Sequence, residues 1–582
     1  MTDSLPADRP ASDPTPSSAS SAGSQAASAA GSHAGSLASS QAGSEAGAEA
    51  AFEALAAAAV DAMLAYQPVL ATSLGDHRFD DRLDDLRPAA VDAEVRALRG
   101  WLDQVDRWPV DSLSVGHRVD AEVLKVRLCE RVFELTELHE HTWSPLVANP
   151  GTALYLLLAR DFAPLPQRLR SVAARLGEVP DQLASARETL SDMPRVHVET
   201  AIEQFGGTLG LIDREIPRKL HDAPEVATTV ERALAQARVA VETHIAWLRE
   251  QLDSATGDPR LGANLFGRKL ALVLDIERSP DAVLQAALAD IERVEAEIGE
   301  VAAKLGGVPR EVLDRLAADA PTDDTVVAVA EQALAEATEF VAAHELITLY
   351  RDPVQVIVMP EIHRGVAVAY CDPPGPLDPP DAPTFFAISP TPAGWPPERV
   401  VSFYREYNVH AMRNLVIHEA MPGHVLQLAH SRRGPVPTKV HQTFWSGPFV
   451  EGWAVYAEQE MVRHGFGGPQ VRMQQLKMRL RTAINAVIDV RVHCDRLTRD
   501  EAMALMVERG HQEDGEATGK WRRALLTSAQ LSTYHVGVTQ VNEIASQVRA
   551  ARPGSSEREV HDALLSHGNP PPRHLAALLG LH

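Results

Sequence analysis

From Ala51 to about Leu346 apolar residues recur every three or four positions, the period of helices that bury one stripe. Between 225 and 253, Val226, Val230, Ala233, Leu234, Ala237, Val241, Ile245, Leu248 and Leu252 keep to one face. A second helix opens at Ser279-Pro280-Asp281, with a hydroxyl cap, a proline tolerated in the first turn and an acid at the positive end. Leu284, Leu288, Ile291, Ile298, Val301 and Leu305 continue its stripe, and Gly306-Gly307 stops it. After Tyr350 the pattern changes. Val354–Met359, Val366–Tyr370 and Thr384–Ile388 are short β-branched or aromatic runs punctuated by Pro and Gly, and they read as strands. A rigid loop with Asp372-Pro-Pro-Gly-Pro and Pro379-Pro380 separates the last two. Pro392, Pro396 and Pro397 then precede one long helix ending at His418. Further helices follow from Phe449 to about Arg463 and over 470–495, the latter with Leu476, Leu480, Ala483, Val487 and Val490 on its apolar face. The predicted class is mainly α, large and multi-helical, with a small β-sheet beside the helix that ends at His418.

Composition changes this picture at one end. Residues 1–48 are dominated by Ser, Ala, Gly and Pro and have little to bury, so a disordered tail is expected there. No clean linker interrupts 49–582, which is read as a single mainly helical unit: a scaffold half over 49–350 and a chemistry-bearing half over 351–582. The net charge of −24 disfavours nucleic acid and anionic membranes as partners, and no apolar run is long enough to span a bilayer. Three distant cysteines without metal spacing suit a reducing compartment. The first residues lack a basic start followed by an apolar segment, so no secretory signal is expected, and the expected location is cytoplasmic.

The chemistry concentrates in Asn414-Leu-Val-Ile-His418-Glu419-Ala-Met-Pro-Gly-His424. Zinc hydrolases with His-Glu-x-x-His place two imidazoles one turn apart and use the Glu to activate water. Here the second His comes at i+6, about 240° around a straight helix. Both can bind one ion only where the helix breaks, and Pro422-Gly423 supplies that break. A catalytic zinc has three protein ligands and an open position. Glu451, in Phe449-Val450-Glu451-Gly452-Trp453, is the candidate third ligand, and it shares a helix face with Glu458. Alone, those two acids also fit a helix facing solvent or arginines. His410, His430 and His441 lie nearby, and His430 is the strongest competitor as ligand.

Downstream, Asp489 and His493 stand at i and i+4. They read either as a carboxylate–imidazole pair supporting the site, with Asp489 and Glu458 behind the ligands, or as a surface pair. Arg523, Gln530, Tyr534 and His535 form a polar set, in which a Tyr hydroxyl can stabilise an oxyanion. From the residues alone a half-buried structural tyrosine is the plainer reading. The strands before the motif can offer an edge to an extended peptide, or serve as a structural hairpin. Tyr370 and Phe385 on them, with Arg523 and Gln530, are the candidate substrate contacts.

His418-Glu-Ala-Met-Pro-Gly-His-Val-Leu-Gln427 with Glu451-Gly-Trp-Ala-Val-Tyr-Ala-Glu458 resembles the bacterial "domain of unknown function 885" family, whose members are thought to be zinc metallopeptidases. Ala369-Tyr370 is similar to that family's Ala-Tyr-Tyr segment, with Cys371 in place of the second Tyr. The 479–493 stretch is similar to its Arg-rich helix, and His561 to Gly568 to its closing motif. Arg523 to Gly537 matches a family segment in which Ala524 here replaces Tyr, Ser528-Ala529 replace Pro-Gly, and His535 replaces Lys. The resemblance implies a helical fold of the thimet-oligopeptidase and angiotensin-converting-enzyme type. It also implies one zinc on His418, His424 and Glu451, Glu419 as base, and Tyr534 as oxyanion partner; His493 is read beside it as the residue that helps Tyr534. The expected activity is hydrolysis of short peptides. A zinc amidohydrolase acting on a non-peptide amide and a non-catalytic binding protein on the same fold are the alternatives.

Overall fold

The computed structural model describes residues 27–581 apart from 351, 353, 360–363, 365–367, 380, 381 and 393, with side chains from residue 46 onward. It is mainly α with one small sheet, as the hydrophobic period requires. The periodic 225–253 stretch forms the helix Ala227–Gln251, burying Val230, Ala233, Leu234, Ala237, Val241, Ile245 and Leu248. The helix Pro280–Lys304 begins where the capping pattern placed it, with the Ser279 side chain accepting from Ala282 N–H.

The first helix, Ala27–Tyr66, takes in part of the Ser/Ala/Gly-rich 1–48 segment. Residues 1–26 lie outside the described residues. Two expectations need correction. The single helix ending at His418 is two, Pro397–Glu406 and Val409–Glu419. Asn408 splits them: its Oδ1 accepts from His410 N–H and Ala411 N–H, a cap hidden within a continuous helical period. The second strand is Ala369–Asp372, shifted toward the C-terminus from the expected Val366–Tyr370, of which 366 and 367 lie outside the described residues.

The sheet has order β1-β3-β2, with β1 (Val354–Val358) parallel and β2 (Ala369–Asp372) antiparallel to β3 (Thr384–Ile388). Among the described residues β2 is therefore an edge strand. One core joins the sheet, through Phe386 and Ile388, to the helices Val326–Ala343, Val409–Glu419, Gly447–Arg463 and Thr533–Ala551. A second packs Pro280–Lys304 against Gly468–Cys494, and two more fill the N-terminal helices. The first two cores mix residues from both sides of position 350, so the first half supplies walls for the second.

Two glycines set the geometry of the site. A Cβ on Gly452 would meet Gly537 C at 2.4 Å, and one on Gly537 would meet Pro448 O at 2.1 Å. The helices Gly447–Arg463 and Thr533–Ala551 thus cross backbone against backbone, and the residues flanking the crossing, Glu451 and Tyr534, are drawn to a common region.

Candidate metal centre

The helix Val409–Glu419 ends at Glu419, and a new one, His424–Ser431, begins at His424. The intervening turn folds back tightly. Gly423 N–H donates to Ile417 O at 2.9 Å, and a Cβ on Gly423 would lie 1.9 Å from His418 O, so only glycine fits. Trp453, almost fully buried, clamps the turn by donating its indole N–H to Pro422 O at 2.9 Å. The reversal brings the rings of His418 and His424 to 4.9 Å centroid separation, nearly perpendicular at 86°.

Glu451 faces both rings. Its Oε2 lies 3.3 Å from His418 Nε2 and 3.6 Å from His424 Nε2. That Oε2 atom is buried with no hydrogen-bond partner among the described residues. The potential ligand atoms of these three residues all lie within 4.8 Å of one another. Two ligands about 2.0–2.1 Å from a tetrahedral ion are about 3.3 Å apart, so the spacing fits one ion with a position left open. Burial raises the Glu451 carboxyl, but the two imidazoles beside it outweigh that and hold it well below the usual carboxylate range.

Glu458, about two helical turns beyond Glu451 and buried, fixes the first imidazole from behind. Its Oε1 lies 2.8 Å from His418 Nδ1, and its Oε2 accepts from Asn414 Nδ2 at 2.7 Å. With the Nδ1 proton on that bond, the Nε2 lone pair points to the shared space. His424 has no such support, its Nδ1 being buried without a partner among the described residues.

Glu419 sits half-buried beside these groups. Its Oε2 accepts from Cys371 N–H at 3.0 Å, which ties the carboxylate to edge strand β2. Burial pushes its carboxyl upward, while His418 and His424 pull it back. The Tyr534 ring lies 6.4 Å from that of His418, with Arg523 reaching its hydroxyl. The charge of Glu451 and burial keep the phenol protonated.

Other predicted residues go elsewhere. His430 Nε2 bonds to Thr348 O at 2.8 Å, so it is not a ligand in this arrangement. His441 is held by Asp120 and His567 O, and His410 faces Asp319. The Asp489–His493 pair does not form, and His493 is not a partner of Tyr534. Its Nδ1 accepts from Leu261 N–H, its Nε2 donates to Thr527 O, and its ring stacks on Phe266. Asp489 instead accepts from Ala529 N–H, Ser532 N–H and Ser532 Oγ. Both side chains therefore tether the 527–532 loop that delivers Tyr534. Ala529 there has φ +64°, a left-handed conformation that suits the glycine of the related pattern better than alanine. Gln530 accepts from Arg523 Nε at 2.9 Å. His535 turns away from the site, its Nε2 3.6 Å from Asp290. On the sheet, Tyr370 meets Tyr155, and Arg160 covers the Phe385 ring at 4.7 Å.

The sequence reading missed Asn414, Trp453 and Cys371 N–H. A helical-wheel projection of Asn414 and His418, one turn apart, would have suggested the first. A second cluster, Glu460, Glu557 and His561, also has ligand-like spacing. Arg463 and Arg549 already pair with its carboxylates, which removes the need for an ion.

A mainly helical scaffold with a three-stranded sheet, holding two imidazoles and a carboxylate around one point, defines the class of protein. The chain belongs to the family described as "Bacterial protein of unknown function (DUF885)", whose model matches residues 68–579. A solved structure from Shewanella oneidensis, described as a candidate lipoprotein of unknown function, shares 27% identity and a TM-score of 0.78 over 91% of this chain and 99% of its own. Another candidate lipoprotein, from Colwellia psychrerythraea, shares the fold at 17% identity and a TM-score of 0.77, covering 92% and 98%. An M32 carboxypeptidase from Deinococcus radiodurans matches at 11% identity over 78% of this chain and 89% of its own, with a TM-score of 0.32, a likeness that says nothing of this chain's activity. No curated protein matches the sequence.

Proposed function

We propose that this protein is a zinc-dependent hydrolase, a metallopeptidase that cleaves short peptides with water. The observation behind this reading is the meeting of His418 Nε2, His424 Nε2 and Glu451 Oε2 beside a carboxylate, Glu419, that lies outside the ligand set. Zinc held by these three residues would supply Lewis acidity toward a carbonyl oxygen and a water molecule. Glu419, raised by burial, takes the proton of the attacking water and passes it to the leaving amine. The water oxygen adds to the carbonyl carbon as the carbonyl π pair moves onto its oxygen. The C–N bond breaks when that pair returns and the amine leaves with the proton from Glu419. The Tyr534 hydroxyl, kept protonated, donates to the carbonyl oxygen as charge builds there. An extended peptide laid along edge strand β2 would pass Glu419, whose carboxylate the strand's own Cys371 N–H holds.

The test is digestion of a peptide library and a panel of small non-peptide amides by the purified, zinc-loaded protein. Chelator-sensitive cleavage of peptides supports the reading. Cleavage of small amides alone replaces it with the amidohydrolase reading, and no cleavage of either leaves a binding protein. The proposed location is the cytoplasm. The solved relatives described as candidate lipoproteins make cell fractionation its direct check.

A further inference from the structure

The arginines near the centre differ in one respect. Arg160 pairs with Asp372 at 3.0 Å, and Arg432 faces Asp352 at 3.9 Å. Arg522, adjacent in sequence to Arg523, pairs with Glu203 at 2.8 Å. Arg523 has no carboxylate within ion-pair distance among the described residues. It is half-buried, donates Nε to Gln530 and reaches the Tyr534 hydroxyl, two neutral partners. A guanidinium is always charged and presents a planar fork that matches a carboxylate. Holding one half-buried without a counter-ion is unfavourable, and a ligand that brings a carboxylate relieves it.

The position of this unanswered cation selects which carboxylate. Tyr534 meets Arg523 through its hydroxyl and approaches the centre with its ring, 6.4 Å from that of His418, its hydroxyl within the field of Glu451. In a peptide the terminal carboxyl carbon and the preceding carbonyl carbon are about 3–4 Å apart. Hydrogen-bonding neighbours such as Arg523 and Tyr534 can therefore hold those two groups of one terminal residue. Gln530 fixes the guanidinium plane.

We propose that Arg523 binds the free C-terminal carboxylate of the substrate, so that the protein releases C-terminal residues from short peptides. This inference rests on the hydrolase reading above. It is tested on the zinc-loaded protein with matched short peptides carrying a free or an amidated C-terminus, followed by mass spectrometry. The free acids should lose their last residue, with kcat/KM roughly 10- to 100-fold above the amides. Arg523→Gln should erase that preference by slowing the acids roughly 10- to 100-fold more than the amides, and Arg523→Lys should keep part of it. As a readout without turnover, N-acetyl amino acids should bind the wild-type protein more tightly than their amides in calorimetry, and should lose this advantage in Arg523→Gln. Equal cleavage of acids and amides, or internal cleavage of both, overturns the inference and leaves the hydrolase reading standing. An equal loss for both substrates in Arg523→Gln also overturns it. Failure to cleave any peptide overturns the hydrolase reading and this inference together.

Discussion

Gly452 and Gly537 touch backbone to backbone, and that contact sets where Glu451 and Tyr534 stand. A Cβ at Gly452 would lie 2.4 Å from the Gly537 carbonyl carbon, closer than any side chain tolerates. Gly452→Ala should force the helices Gly447–Arg463 and Thr533–Ala551 apart, cost about 1–3 kcal/mol of stability and abolish turnover. Gly519→Ala, at a helical glycine with open space around it, is the control, and it should be neutral or stabilising. Denaturant unfolding of the two variants checks the contrast.

Glu458 acts on the centre through His418. Replacing it with Gln keeps the size but removes the charge that orients the imidazole and strengthens it as a donor. Metal affinity, read by competition with a chromogenic chelator, should fall roughly 10- to 100-fold. An unchanged affinity would make the 2.8 Å contact a packing detail only.

Glu419 and Tyr534 should separate binding from chemistry. Glu419→Gln and Tyr534→Phe should bind metal like the wild type and lower kcat roughly 100-fold or more. Steady-state kinetics beside metal analysis of the same samples decides this. A Glu419→Gln variant with full turnover would remove that carboxylate from the mechanism.

Asp489 makes loop tethering depend on pH. Burial raises its carboxyl from the ordinary aspartate value to about 6, despite the three donors it accepts. Between about pH 4 and 6 the folded protein therefore binds a proton that the unfolded chain has released. The contribution of this group to stability is greatest below about pH 4 and falls as pH rises through 6, by an amount on the order of 3 kcal/mol. Asp489→Asn should flatten that part of the stability–pH profile. In the wild type, ionisation around pH 6 strengthens the bonds to Ala529 and Ser532, so kcat should rise through about pH 6, where the fall in stability levels off. Parallel denaturation and activity profiles from pH 4 to pH 8 check both.

The legible parts of this molecule were those written in local spacing. The Ser279 cap, the stripe of the Ala227–Gln251 helix and the Pro422-Gly423 break each depend on neighbours a few residues away. So did the shared face of Glu451 and Glu458, which meet the two nitrogens of one imidazole. The readings that failed depend on which distant segment fills the space. Asp489 and His493 do share a helix face, but the 527–532 loop packs there and takes both side chains. Nothing local marks Gly452 and Gly537 as a contact pair across 85 residues, since helical glycines with open space, such as Gly519, look the same in sequence.

The most direct test of the account is elemental analysis of the purified chain after zinc loading and removal of free metal, alongside His418→Ala, His424→Ala and Glu451→Ala. The wild type should retain about one zinc per chain and each variant far less, because each removes one of three ligands. A wild-type chain that holds no transition metal, or variants that hold as much as the wild type, would contradict it.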